Sequence, residues 1–343
     1  MKTKFLAYGM IGLLFGMGAF YLLSSRKVGG RNRGEWELLT EGTLAHERRF
    51  SHVVFLDKKI GFAVSGSSIE RSKDGGVTWE PIQTPGIQGF YSLIFTDTQH
   101  GWAVGTENKR PLVLKTTDKG DTWQAANFDE QGLNKLDGKF VSFLDICFDM
   151  SGRSWMVGEG GIVEAITDGP NLQIAGTLPT EEILHNVSCS DSGKVWAVGQ
   201  GGAIYQHQNN WTKMEMDKSY SFKRVFVKDH DIWVLGGSGA VGENLLVGIS
   251  RPGLLLRSRD NGRTWENKTP MSAGSLYDLF IKDEIGWLVG AEGSIYSSND
   301  GGDSWTKFES RTQNDLRKIF FLDSDNGWIC GGNATILKYR KRK

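Results

Sequence analysis

Short bursts such as "SHVVFLD" at 51–57 and "LRKIFFLD" at 316–323 alternate apolar and polar side chains, the pattern of half-buried β-strands. A second kind of apolar run follows each burst: "GFAVSG" at 61, "GWAVG" at 101, "SWMVG" at 154, "VWAVG" at 195, "IWVLGG" at 232, "GWLVG" at 286 and "GWICGG" at 327. Its aromatic anchors, Phe62, Trp102, Trp155, Trp196, Trp233, Trp287 and Trp328, are spaced by 40, 53, 41, 37, 54 and 41 residues. That period is the length of a four-stranded propeller blade, and seven copies predict an all-β, seven-bladed β-propeller of antiparallel blades.

The register holds at a second position. Seven residues before the anchors stand Phe55, Phe95, Phe148, Cys189, Phe226, Phe280 and Phe321, which places strand A of each unit. The anchor marks strand B, and strand C leads to an octamer present four times: "SKDGGVTW" at 72–79, "TTDKGDTW" at 116–123, "SRDNGRTW" at 258–265 and "SNDGGDSW" at 298–305. Strand D is expected to begin at the octamer tryptophan. In the third unit Leu172 stands where that tryptophan is expected. The segment "EWELLTEGT" at 35–43 resembles "TWEPIQTPG" at 78–86, so the strand around Trp36 is expected to supply the fourth strand missing from the seventh unit. Closure of that kind removes free sheet edges.

Within the octamer, aspartate and hydroxyl bond to turn backbone, glycine supplies positive φ, and tryptophan packs between blades. Asp74, Trp79, Asp118, Trp123, Asp260, Trp265, Asp300 and Trp305 are therefore read as structural. Calcium binding is the competing reading, but one carboxylate per turn falls far short of six to eight oxygens. No catalytic residue, metal site or cofactor is expected.

These octamers resemble Asp-box (BNR) repeats. Together with "GWAVG" and the strand-A phenylalanines, residues 35–343 look most like the photosystem II assembly and stability factor family. The resemblance implies a non-enzymatic scaffold that binds membrane-protein subunits, with arginines on one face contributing. A sialidase-like glycosidase is the enzymatic alternative, but the Phe/Tyr-Arg-Ile-Pro element is absent, "SRPG" at 250–253 lies late, and no tyrosine and glutamate pair stands out. A cell-envelope sensor or receptor domain is a third reading.

Loop length separates the two faces of the expected propeller. The D–A connection at 126–139 and the B–C insertion at 236–251 are long, whereas the A–B and octamer turns are tight. Long loops on a rigid frame favour binding. The residues expected to border that face around the channel are Arg48, Arg49, His52, Tyr91, Asp145, His185, Lys223, Arg224, Tyr277, Asp278, Arg317 and Lys318, the cationic and aromatic ones being the candidate partner contacts.

Composition changes the picture in three places. Forty basic and forty acidic residues give no field for nucleic acid. Cys147, Cys189 and Cys330 are odd in number and far apart, so they are read as buried apolar residues rather than disulfide or zinc partners. Residues 5–23, "FLAYGMIGLLFGMGAFYLL", carry no charge and are long enough to span a bilayer, so 1–27 reads as a membrane anchor and 28–34 as a linker. A cleaved signal peptide is the alternative, and no cysteine follows the run to be lipidated. Gly12 and Gly16 fit a helix-pairing face.

Arg26, Lys27, Arg31 and Arg33 outnumber the charges before the run by one, which by count favours a cytoplasmic body. The resemblance instead implies the extracytoplasmic side, periplasmic or lumenal. The basic tail, Lys338, Arg340, Lys341, Arg342 and Lys343, is a candidate contact for anionic lipid.

Overall fold

The structure is a computed structural model, and it describes residues 34–42, 49–85, 89–128, 138, 140–168, 171–228, 230–238 and 253–341. The expected anchor, linker residues 28–33, Arg48, Arg342 and Lys343 lie outside the described residues, and Gly34, expected at the end of the linker, already begins a strand. Seven innermost strands, Phe50–Phe55, Gly89–Phe95, Ser142–Phe148, Leu184–Cys189, Tyr220–Lys228, Leu276–Lys282 and Leu316–Asp323, pack side by side, the last against the first. Each begins an antiparallel sheet that runs outward, so the described residues form a seven-bladed β-propeller. Six blades have four strands. Blade 3 gains a fifth because Asn127–Phe128 pairs in parallel with its outer strand.

The sheet that completes the ring takes strands Leu316–Asp323, Asn326–Gly331 and Ile336–Lys341 from the C-terminal end and Gly34–Thr40 from the N-terminal end. Trp36 pairs with Tyr339, and its indole packs edge-on to Trp287 at 5.4 Å and Phe321 at 5.7 Å. An aromatic of this size contributes roughly 3 kcal/mol when buried.

Cores lie between successive sheets. Phe62, Val64 and Ile69 of blade 1, for example, pack on Phe90, Leu93, Leu112 and Leu114 of blade 2. Across each B–C ladder the residue opposite the aromatic anchor is often cationic: Arg71 lies over Phe62, Lys115 over Trp102, Arg257 over Trp233 and Lys338 over Trp328. Such cation–π contacts cover the ring face, and the buried Arg257 is further paired with Asp231 and Asp303. Lys338 is thereby part of the seventh blade, and Arg340 and Lys341 pair with Glu37 and Asp325. This stretch of the basic tail is an ordered strand.

Three sequence expectations change. The outer strands start one residue after the octamer tryptophan, at Glu80, Gln124, Glu266 and Thr306. Phe226 and Phe280 pair directly with Trp233 and Trp287, whereas in the other five blades the paired residue is one earlier: Val54, Ile94, Cys147, Ser188 and Phe320. Blades 5, 6 and 7 close the A–B hairpin between residues three apart, but blade 7 adds a register slip between Phe321 and Asp323 that returns it to the majority register, and a one-residue slip moves a side chain to the opposite face. Finally, Cys147 and Cys189 are joined in a disulfide, with Cα atoms 5.7 Å apart. They are far apart in sequence but occupy neighbouring innermost strands of blades 3 and 4.

Candidate partner-binding face

The octamers are closed turns. Ser72 Oγ accepts from the Gly76 N–H at 2.8 Å and donates to Asp74 Oδ1 at 2.8 Å. Asp74 Oδ1 also accepts from the N–H groups of Val77 and Thr78 at 3.0 Å, and Oδ2 accepts from the Thr78 hydroxyl at 2.6 Å. Asp118, Asp260 and Asp300 repeat the aspartate-to-hydroxyl bonding. Both carboxylate oxygens are occupied by turn donors, leaving little capacity for a cation. Among the described residues no cluster of His, Cys, Asp or Glu could hold a metal.

The octamers also couple blades. Gly76 of blade 1 lies against Trp328 of blade 7, Gly120 against Phe62, Gly262 against Trp196 and Gly302 against Trp233. A Cβ on Gly302 would come within 2.7 Å of the Trp233 ring, and its φ of +87° already favours glycine. Each octamer therefore docks on the strand-B anchor of the preceding blade.

All seven innermost strands carry a β-bulge at the same place, and the ladder resumes at His52, Ser92, Asp145, Asn186, Arg224, Asp278 and Lys318. These seven form a polar ring across the channel. Ser92 Oγ donates to Asp145 Oδ1 at 2.6 Å, and Asn186 Nδ2 and the Val187 N–H both donate to Oδ2. The Val225 N–H donates to Asn186 Oδ1 at 2.8 Å, and the Ile319 N–H to Asp278 Oδ2 at 3.0 Å. Thus a ring side chain repeatedly accepts from the backbone of the next blade. Arg224 Nε and Lys318 Nζ lie 2.8 and 3.3 Å from the Asp278 carboxylate.

Electrostatics inside the ring follow from burial. Desolvation, reinforced by the charges of Lys318 and Arg224, lowers the His52 pKa well below its ordinary value. Lys318 is lowered too, by burial first and by Arg224 second. His52, Asp145, Arg224 and Lys318 line both a cavity of about 320 Å3 toward the B–C/D–A face and one of about 850 Å3 toward the A–B turns. The ring thus separates the two halves of the channel.

The expected contact residues consequently divide. His52, Asp145, Arg224, Asp278 and Lys318 belong to the internal ring, where Arg224 and Lys318 pair with Asp278, Asp145 is held by Ser92, Asn186 and the Val187 N–H, and burial keeps His52 neutral. Tyr91, His185, Lys223, Tyr277 and Arg317 are the bulged residues just before the ring positions, and they line the upper cavity. Arg49 is exposed and shares an adjoining depression with Asn314, Asp315 and Arg317. Lys223 Nζ sits 2.9 Å from His185 Nε2, and burial together with that lysine lowers the His185 pKa to about 4. The Arg317 guanidinium lies 5.5 Å from the Tyr277 ring centre and 3.2 Å from Asp315.

Sequence reasoning missed Ser92 and Asn186 as ring members. The signal was present: a polar residue stands ten positions before each strand-B anchor, nine in blades 5 and 6.

The comparisons with known proteins agree with this architecture. A family model of the photosynthesis system II assembly factor YCF48 matches residues 269–340, which span blade 6 and most of blade 7. The photosystem II assembly lipoprotein Ycf48 of Picosynechococcus is 26% identical over 310 residues, covering 76% of this chain and 87% of its own. The chain is a photosystem II assembly factor-like propeller. The chloroplastic photosystem II stability/assembly factor HCF136 of Arabidopsis thaliana is also 26% identical, over 78% of this assembly factor-like chain and 69% of its own. The solved structure of YCF48 bound to a D1 peptide superposes with a TM-score of 0.68 at 23% identity, covering 92% of this chain and 99% of that one. At that identity the structural likeness speaks for the shared propeller.

Proposed function

We propose that the chain is a non-enzymatic assembly factor that holds a segment of a membrane-protein partner on the B–C/D–A face. The observation that carries this reading is the composition of the rim. Arg49, Lys223 and Arg317 stand with Tyr91 and Tyr277 around the upper cavity, while the charges beneath them are paired within the ring. Cations and aromatics above a polar ring that crosses the channel suit an extended segment with acidic and apolar side chains, because both residue types concentrate binding energy. The relatives' names point to photosystem II subunits as the class of partner, and D1 is the natural first probe.

In this reading the propeller is tethered by residues 5–23 and stands on the extracytoplasmic side. The Cys147–Cys189 disulfide supports that placement, since such bonds persist in oxidising compartments. The test is binding of a fluorescent D1 peptide to the full chain in detergent. Arg49→Ala, Lys223→Ala and Arg317→Ala combined are expected to weaken it by roughly tenfold or more, with the thermal melt preserved. An unchanged affinity would remove this face from consideration.

A further inference from the structure

The disulfide lies at a distinctive seam. Octamer glycines dock on the preceding blade's anchor at the 7/1, 1/2, 4/5 and 5/6 seams. Trp36 packs on Trp287 at the 6/7 seam. At the 2/3 seam, Asn127–Phe128 crosses to pair with blade 3, and Trp102 packs on Phe148. Blades 3 and 4 carry no octamer. Their shared seam has the Trp155 anchor packed on His207 and Trp211, but no octamer; nearer the channel it is held by Asp145, which bonds Asn186 and the Val187 N–H, and further along the same strands by Cys147–Cys189.

Both cysteines also line the 850 Å3 cavity below the polar ring. That cavity reaches exposed His100, Met150 and Gly152 at the A–B turns. Cys189 is partly exposed, whereas Cys147 is 8% exposed. Cys330, by contrast, is buried completely in the core between blades 7 and 1. An accessible disulfide is the labile kind, because exchange requires a thiolate to reach one sulfur.

We propose that Cys147–Cys189 is a thiol–disulfide exchange site, reached by a dithiol through the lower cavity, and that its redox state sets how tightly blades 3 and 4 are joined. A thiolate of the dithiol attacks Cys189 Sγ, the S–S bond breaks, and Cys147 leaves as a thiolate and takes up a proton. The second thiol of the reductant then attacks the mixed disulfide and releases Cys189, which is protonated in turn. Two electrons and two protons pass to the protein, and the dithiol is oxidised to a disulfide. Because Asp145 still bridges the strands above, reduction loosens the seam while the ring stays closed.

The test treats the full chain in detergent with dithiothreitol under native conditions, quenches with iodoacetamide and maps labelled cysteines by peptide mass spectrometry. Cys147 and Cys189 are expected to be labelled together, at a rate unchanged by low urea, while Cys330 stays unlabelled. Labelling that begins only at unfolding concentrations of urea, or that includes Cys330 in step, overturns the proposal. A Cys147→Ser, Cys189→Ser double variant checks the seam. It is expected to fold, to melt roughly 5 °C lower or more, and to exchange amide hydrogens faster at 142–148 and 184–189. An unchanged melt and unchanged exchange there would show that the bond does not set the seam.

Discussion

The indole Nε1–H of Trp328 donates to the carbonyl oxygen of Gly75 at 2.9 Å, across 253 residues of sequence. One repeat, the strand-B anchor, is thereby joined to the other, the octamer turn, at the seam where the ring closes. Phe55 stacks on the same indole with ring centres 3.7 Å apart. The octamer aspartate shapes the turn, and the glycines beside it make the contact between blades.

Two substitutions probe this kind of contact, one at the 7/1 seam and one at the 5/6 seam. Trp328→Phe keeps most of the packing but leaves the Gly75 carbonyl without its donor, so a loss of about 1–3 kcal/mol is expected. Gly302→Ala adds a methyl group against Trp233 and forces alanine to a positive φ, with a cost of about 1–3 kcal/mol. Urea denaturation followed by tryptophan fluorescence measures both. Wild-type midpoints would remove the octamer from the account of blade docking.

The ring ion pairs are expected to matter for stability. Asp278 is almost fully buried and serves Arg224, Lys318 and the Ile319 N–H. Asp278→Ala strands two cations in a low-dielectric channel, and breaking a buried pair in this way costs about 3–5 kcal/mol. Asp278→Asn, which retains an acceptor for Ile319, is expected to cost less. Equal losses for the two variants would show that charge is not the reason.

Acid should weaken the octamers in a defined window. Hydrogen bonds from the Thr264 hydroxyl and N–H lower the Asp260 pKa from 3.8 to about 2. A depressed carboxylate contributes stability above its unfolded pKa and loses it as pH falls through the folded value. The melting temperature is therefore expected to drop between about pH 4 and pH 2, and Asp260→Asn should flatten part of that slope. A parallel slope in the variant would count against the bonding scheme.

A second window belongs to the histidines. His185 titrates near 4 instead of 6.5, and His52 is lowered as well, each mainly by burial. Between those values the unfolded chain binds protons that the folded chain refuses. Stability is therefore full above about pH 6.5 and declines toward about pH 4, where His185 also charges in the fold. His185→Gln should shallow the melting curve against pH over that range. No change would mean that burial and the Lys223 contact do not hold His185 neutral.

Much of the fold was legible because it repeats. Trp102, Trp155, Trp196, Trp233, Trp287 and Trp328 recur with the blade period, and each marks a strand that must be buried on both faces. The octamers were legible for a related reason: a tight turn needs its hydroxyl, aspartate and glycine at fixed local offsets. The candidate face was legible only in part. Arg224 and Lys318 read like Lys223 and Arg317 in sequence, yet a single bulged residue turns the first pair into the channel and leaves the second pair on its rim.

By itself, then, the sequence determined the blade count, the strand order within a blade and the structural role of the octamer, since all three depend on interactions local in the chain. Only the tertiary structure decided that Cys147 meets Cys189 and that the polar residues before the anchors bond from blade to blade around one channel. Those relationships arise from closure. The angle and register at which seven sheets meet depend on every blade together, and short-range pattern carries no record of them.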